Sequence, residues 1–428
     1  MSEDIFGRSE KLLKGVERLG KFGSRFNYYP YKEAGRMIDR MTGLASEIPS
    51  FDSPTTNEEV LQTELKRRLI GEASYLEQVL SGRRYDFDTV VSLHGIPFED
   101  IAVLRPWLES HKDETLEGIE RLFQTSDIES FELGLPVDIP SVRRQAEEFA
   151  AVHIQKYHKR IGRLLEELTE VGGFLRDIDA VPTTEARSYF HPLTKTLAIG
   201  IAAICYITED ESLHIRERDL ITLYGHEGMG HALNDVVTVS NGLPYFLTHS
   251  TSLTKTTKES VAQFYEKQLF KDLRASPETQ KALGIQHLFE EIYKEATDID
   301  NLNKYSLRLY QYAITVLANK ELGDPKDPVT TKKKIDLIRE VTLDPTYPVN
   351  IVDHTRDKFD SEGNLSPQIV SELIYCAQPV QRALQEFRNS GSHYEGEGRS
   401  RIDRTLLTGF WTPLGFEQNA LIEARKDK

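Results

Sequence analysis

The segment YGHEGMGHA, residues 224–232, limits this chain more than any other stretch. It lies between the apolar runs "LITL" and "LNDVV", whose spacing is helical, yet it carries three glycines. Each glycine disfavours a helix by about 1 kcal/mol relative to alanine. The segment also sets two histidines, His226 and His231, five residues apart around Glu227. On a straight α-helix, positions four apart are offset by roughly 40° and stack, whereas positions five apart diverge by roughly 140°. Two histidines at that spacing cannot share one ion unless the helix deviates. A one-residue π-bulge widens the turn and restores their alignment. Gly225, Gly228 and Gly230 suit a backbone that has to deviate, so the spacing predicts a bulged helix rather than a regular one.

The side chains then point to metal chemistry. A hydrolytic zinc site uses three protein ligands of nitrogen or oxygen type and keeps one position open for water. His226 and His231 supply two. Glu227, adjacent to the first, would face the bound water rather than the ion and act as general base, as in the shorter H-E-x-x-H pattern. The third ligand must come from elsewhere. The stretch "KTTKESVAQFYEKQLF" (255–270) reads as a helix with Glu259 on its first turn, 28 residues beyond His231. That distance lets the chain turn and bring a second helix against the first. Glu266 on the same helix is the rival ligand. Asp235, four residues past His231, is expected to orient a ligand histidine. Isolated histidines such as His94, His153 and His287 read as core or surface residues.

"HEGMGHALN…NGLPYFLTHSTSLTKTTKESVAQFYE" resembles zinc peptidases whose helix carries H-E-x-x-x-H. The pattern is similar to the tyrosine carboxypeptidase-like group, which includes the microtubule-associated tyrosine carboxypeptidase. In that group an Asn-Gly and Pro segment precedes Thr-x-Glu-Gly-Leu-Ala, whose glutamate binds zinc. Here the segment reads "TKESVA", so the resemblance points to Glu259, with Ser260 and Val261 in place of Gly and Leu. Upstream, "FDTVVSLHGIPFEDIA" (87–102) is similar to a segment of the same group. Downstream, "YCAQPVQRAL" (375–384) resembles a related family of uncharacterised bacterial helical peptidases, with Val380 for a glycine and Arg382 inserted. The likeness spans about residues 85–390 and is specific over 223–266.

The resemblance implies a gluzincin-like, mainly α fold with a substrate cleft and a small β edge element beside the zinc helix. It implies Zn2+ as cofactor and a metallopeptidase, in particular a carboxypeptidase acting on a peptide or protein C-terminus. It also places a tyrosine at Tyr375 as oxyanion donor; His393 and Tyr394 are alternatives. A carboxypeptidase needs a cation for the terminal carboxylate, and arginine suits that task; Arg382, Arg401 and Arg404 are the candidates. The same residues would also serve a zinc hydrolase of non-peptide amides or esters, or a metal-binding protein without activity.

The remaining pattern is compatible with this reading. Hydrophobic residues make up 39% of the 428 and charged residues 28%, enough for a packed core. Helical spacing predicts helices over 57–82, 140–173 (roughly eight turns), 277–324 with a break near Gly284, and 366–391 with a kink at Pro379. "TKTLAIGIAAICYI" (194–207) is apolar and β-branched and reads as a strand, the expected edge element. The irregular stretch 126–140 divides an N-terminal helical region (1–130) from a catalytic region (131–428), or joins two lobes of one domain. The glycine-rich 389–401 reads as a mobile loop.

A net charge of −15 argues against nucleic acid and against an anionic membrane surface as partners. Only "KRIGR" (159–163) and "TKKKIDLIR" (331–339) are modestly basic. Cys205 and Cys376 sit in apolar contexts and read as buried thiols. The opening residues have no signal-like apolar stretch, and no run is long enough to span a bilayer. A reducing cytoplasm is the expected setting.

Overall fold

The computed structural model describes residues 3–18, 31–81, 133–134, 139–185, 188–208, 210–301 and 379–426. Within them the chain is mainly helical, with two small sheets. The readings at 87–102 with His94, at 331–339, and at Tyr375 and Cys376 lie outside the described residues, as does the whole of 302–378.

The N-terminal helices are α1 (Glu3–Arg18), α2 (Tyr31–Glu47) and α3 (Asn57–Ser81). A capping box starts α3: Thr56 Oγ1 accepts from the Glu59 amide at 3.2 Å, and Glu59 Oε2 accepts from the Thr56 amide at 3.2 Å. The two-residue strand β1 (Leu133–Gly134) precedes α4 (Pro140–Leu168). Proline at the first helical position of α4 loses no hydrogen bond. The helix stops before the paired glycines, which fall in a 3-10 turn over Glu170–Asp177.

Residues 194–207 do not form one edge strand. They give β4 (Thr196–Gly200), a helical turn α5 (Ile201–Ile204) and β5 (Cys205–Ile207). With β2 (Asp179–Thr183), β3 (Tyr189–His191) and β6 (Leu213–Ile215), these strands build sheets ordered β2-β4-β3 and β1-β5-β6. Both strands of the segment are therefore central. The reason is in their composition: Leu197, Ala198 and Ile199 are consecutive and all buried, as in a strand covered on both faces. The edges of the β2-β4-β3 sheet are β2, parallel to β4, and β3, antiparallel to it with Phe190 opposite Leu197.

A continuous helical rod follows, made of α6 (Glu217–Leu223), a π-helix (Tyr224–Ala232) and α7 (Leu233–Ser240). After the short α8 (Tyr245–Thr248) comes α9 (Lys255–Arg274), which packs along the π-helix. Helix α10 (Pro277–Leu283) ends at Gly284 with φ of +82°. The Ile285 amide reaches back to the Gln280 carbonyl at 3.0 Å, so the break there is a left-handed cap that glycine adopts without strain. Helix α11 (Phe289–Asn301) follows.

The last helices are α12 (Pro379–Asn389), α13 (Gly396–Leu407) and α14 (Pro413–Arg425). Pro379 opens α12 among the described residues. The expected loop at 389–401 is short, because α13 already begins at Gly396. Arg399 anchors that helix in the interior through two hydrogen bonds to Asp272 at 2.7 and 2.6 Å.

One core cluster runs from Leu12 to Ala424, and α3 packs against α14. Cys205 is a free buried thiol, and burial pushes its pKa up to about 11, as expected of an inert cysteine. Among the described residues no helix is long and apolar enough to cross a membrane.

Candidate metal centre

The π-helix sets His226 and His231 on one side of the rod. Their rings meet edge to face, with centroids 4.8 Å apart and planes at 86°. The wider turn achieves what a regular helix would forbid at this spacing. The glycines have a second role that their helix-breaking character hides. A Cβ on Gly230 would lie 2.2 Å from Ala262 Cα, and one on Gly225 would lie 2.8 Å from Glu266 Cα. They permit α9 to approach the π-helix backbone to backbone. Gly228 faces Leu197 and Tyr224 instead, at 3.3 Å.

That approach delivers two glutamates from α9. Glu259 Oε2 lies 3.4 Å from His226 Nε2, and Glu259 Oε1 lies 3.7 Å from His231 Nε2. The candidate ligand atoms of the three residues all fall within 4.8 Å of one another. A tetrahedral ion with bonds of about 2.1 Å has ligand-to-ligand edges of about 3.4 Å. The donor set and its spacing therefore fit a small divalent cation, with one coordination position left for water.

Glu266, the rival third ligand, sits behind the site. Its Oε1 lies 2.5 Å from His226 Nδ1, the nitrogen turned away from Glu259. This is the position of a group that fixes the ring's tautomer and orientation. Asp235 does not perform that role for His231; it accepts from Lys258 at 2.9 Å. Lys258, the residue just before Glu259 on α9, holds that carboxylate instead. The Nδ1 of His231 is buried with no hydrogen-bond partner among the described residues.

The electrostatics follow from the packing. Burial pulls the His226 pKa down, but Glu259 and Glu266 outweigh it and raise the value to about 10. Burial pushes Glu259 up, yet the two imidazoles hold its carboxyl well below the usual carboxylate range. Burial pushes the Glu227 carboxyl up, opposed by the two histidines, the direction expected of a group that exchanges protons near neutrality.

A cavity of about 650 Å³ opens on this cluster and is lined in part by Glu227, His231, Glu259, Phe190 and Arg68. The other sequence candidates lie elsewhere. The Tyr394 hydroxyl donates to Asp403, to which the Tyr265 hydroxyl also donates at 2.7 Å, so Tyr394 belongs to a buried network with Arg399 and Asp272. His393 is exposed. Arg382 pairs with Glu417 at 3.4 Å, Arg401 donates to the Glu423 carbonyl, and Arg404 pairs with Glu170. None of these five residues is among the described residues that line the cavity.

Arg68 and Glu72 are two charged cavity residues that sequence reasoning passed over. Their signal was present: with Leu65, Leu69 and Leu76 they fall on the buried stripe of α3, where charged side chains are out of place. No family model, no curated protein and no solved structure matches the chain.

Proposed function

We propose that this protein is a zinc-dependent metallopeptidase, a carboxypeptidase that removes C-terminal residues from peptides or proteins. The observation that carries the reading is the convergence of His226 Nε2, His231 Nε2 and Glu259 on one point, with Glu227 in the same cavity. Two imidazoles and a carboxylate with an open position are the ligand set of hydrolytic zinc. The resemblance over 223–266 to the tyrosine carboxypeptidase-like group supports the same assignment, and with it a gluzincin-like fold in a cytoplasmic setting.

His226, His231 and Glu259 would hold the zinc, which would supply polarisation of the scissile carbonyl and a water of pKa lowered to about 7. The chain's own residues do the rest. Glu227 takes the proton from the attacking water and delivers it to the leaving amine; its raised pKa suits both directions. Glu266 accepts from His226 Nδ1 and keeps Nε2 aimed into the site. Tyr375 is the proposed oxyanion donor, on the resemblance alone.

The test is a mixed peptide library incubated with the purified full-length protein, with and without chelator, and read by mass spectrometry. The reading predicts loss of single C-terminal residues, abolished by chelation and restored by zinc. A protein that holds zinc but cleaves no peptide would be assigned instead to non-peptide amides or esters.

A further inference from the structure

Arg68 lines the cavity and has no role in that chemistry. Its side chain is buried, with 1% of the residue exposed. Nη2 donates to the His249 carbonyl at 3.1 Å. Nε and Nη1 are buried with no hydrogen-bond partner among the described residues. A guanidinium always carries its charge, and burying it with unpaired N–H groups is costly. Such a group calls for an explanation, and an anionic ligand is one that balances both the charge and the missing hydrogen bonds.

The neighbouring charges do not remove the need. Glu72 lies one turn further along α3, also buried, and its Oε1 has no hydrogen-bond partner among the described residues. Glu72 and Glu64, both buried on α3, offset part of the Arg68 charge, but neither makes a hydrogen bond to its Nε or Nη1. Of the other cations lining the cavity, Lys258 is held by Asp235 and Lys255 is exposed to water. Among the described residues that line the cavity, Arg68 alone offers a buried planar fork, the geometry that binds a carboxylate through two parallel hydrogen bonds.

We propose that Arg68 anchors the free α-carboxylate of the substrate's C-terminal residue, in the cavity that also holds Glu227, His231 and Glu259. The inference rests on the carboxypeptidase reading and deepens it, because it names the residue that would select a free C-terminus. Beside the charged groups the cavity carries Phe190, Phe246, Leu13 and Val16, an apolar wall suited to a side chain. Its volume of about 650 Å³ is of the size that encloses a small ligand rather than a folded surface. Arg68 lies outside the 85–390 stretch that carries the family resemblance.

The experiment is calorimetric titration of the full-length protein with N-acetyl-phenylalanine and with N-acetyl-phenylalaninamide, which differ only in the carboxylate. The acid is expected to bind about ten- to a hundredfold more tightly than the amide. Arg68→Gln should erase that preference while leaving the amide's affinity and the metal content unchanged, which a merely structural role would not do. Arg68→Lys keeps the charge and loses the fork, and should retain only part of the preference; it decides the matter if the glutamine variant fails to fold. Equal binding of acid and amide, no binding of either, or a preference that survives in both variants would overturn the anchor. The two readings fail separately. Cleavage of internal bonds without acid preference removes the anchor and keeps the peptidase. Acid preference in a protein that hydrolyses nothing keeps the anchor and removes the peptidase.

Discussion

The Cα of Ala262 lies 2.2 Å from the point where a Cβ on Gly230 would stand. The contact is backbone on side chain position, so no rotamer change relieves it, and the helices themselves must separate. Gly230→Ala is expected to destabilise the protein by about 2 kcal/mol or more, despite the gain of about 1 kcal/mol in helix propensity. Gly228→Ala meets only the ends of Leu197 and Tyr224 at 3.3 Å and should change stability by less than about 1 kcal/mol. Urea unfolding of the two variants checks this. Equal effects would mean that the close approach of α9 does not fix the π-helix.

The two glutamates of α9 separate by role. Glu266→Gln removes the charged acceptor behind His226 but leaves the three converging atoms in place. It should weaken zinc binding by about 10- to 100-fold without abolishing it. Competition against a chromogenic chelator gives the constant. Complete loss of zinc in Glu266→Gln, with zinc retained in Glu259→Ala, would exchange the two assignments.

Glu227 lines the cavity and is assigned no ligand bond. Glu227→Gln should keep stoichiometric zinc and lose at least about 100-fold in kcat. Turnover close to wild type would remove the residue from proton transfer.

The metal-free protein should lose stability as the pH rises above neutrality. His226 is raised from 6.5 to about 10 in the folded chain, so the folded state favours its protonated form. That contribution is complete below the unfolded value of 6.5 and disappears as the pH passes about 10. Cys205, raised from 9.0 to about 11, adds a loss of the same sign only above about 9. The window that reports on His226 is therefore about pH 6.5 to 9. Denaturant midpoints of the chelator-treated protein should fall across it. Zinc replaces the proton on the site, so the zinc-loaded protein should show a flatter profile. A flat profile without metal would contradict the account.

Much of the site was legible in the sequence because it depends on local spacing. The five-residue interval between His226 and His231, with its glycines, pointed to the π-helix that the chain forms. The helix that carries Glu259 and its rival Glu266 was legible from its spacing, and the family resemblance pointed to Glu259 between them. What depended on long-range packing was not legible. Gly225 and Gly230 read as concessions to a deviating backbone, whereas their contacts are with Glu266 and Ala262 of another helix. Asp235 fell on the correct face, but Lys258 takes its carboxylate. The strand at 194–207 was visible from its β-branched run. Its division by α5 and its central place in two sheets depended on partners that a single segment does not name. Arg68, more than 150 positions before the motif, enters the cavity only through the packing of α3.

The most direct test of the metal centre is the zinc content of the purified wild-type protein and of Glu259→Ala, measured by elemental mass spectrometry after dialysis against trace zinc. The arrangement of His226, His231 and Glu259 predicts one zinc per wild-type chain and a large loss in the variant, with the fold retained by circular dichroism. A wild-type chain that takes up no zinc, or a Glu259→Ala chain that holds it as tightly as wild type, would contradict the central claim.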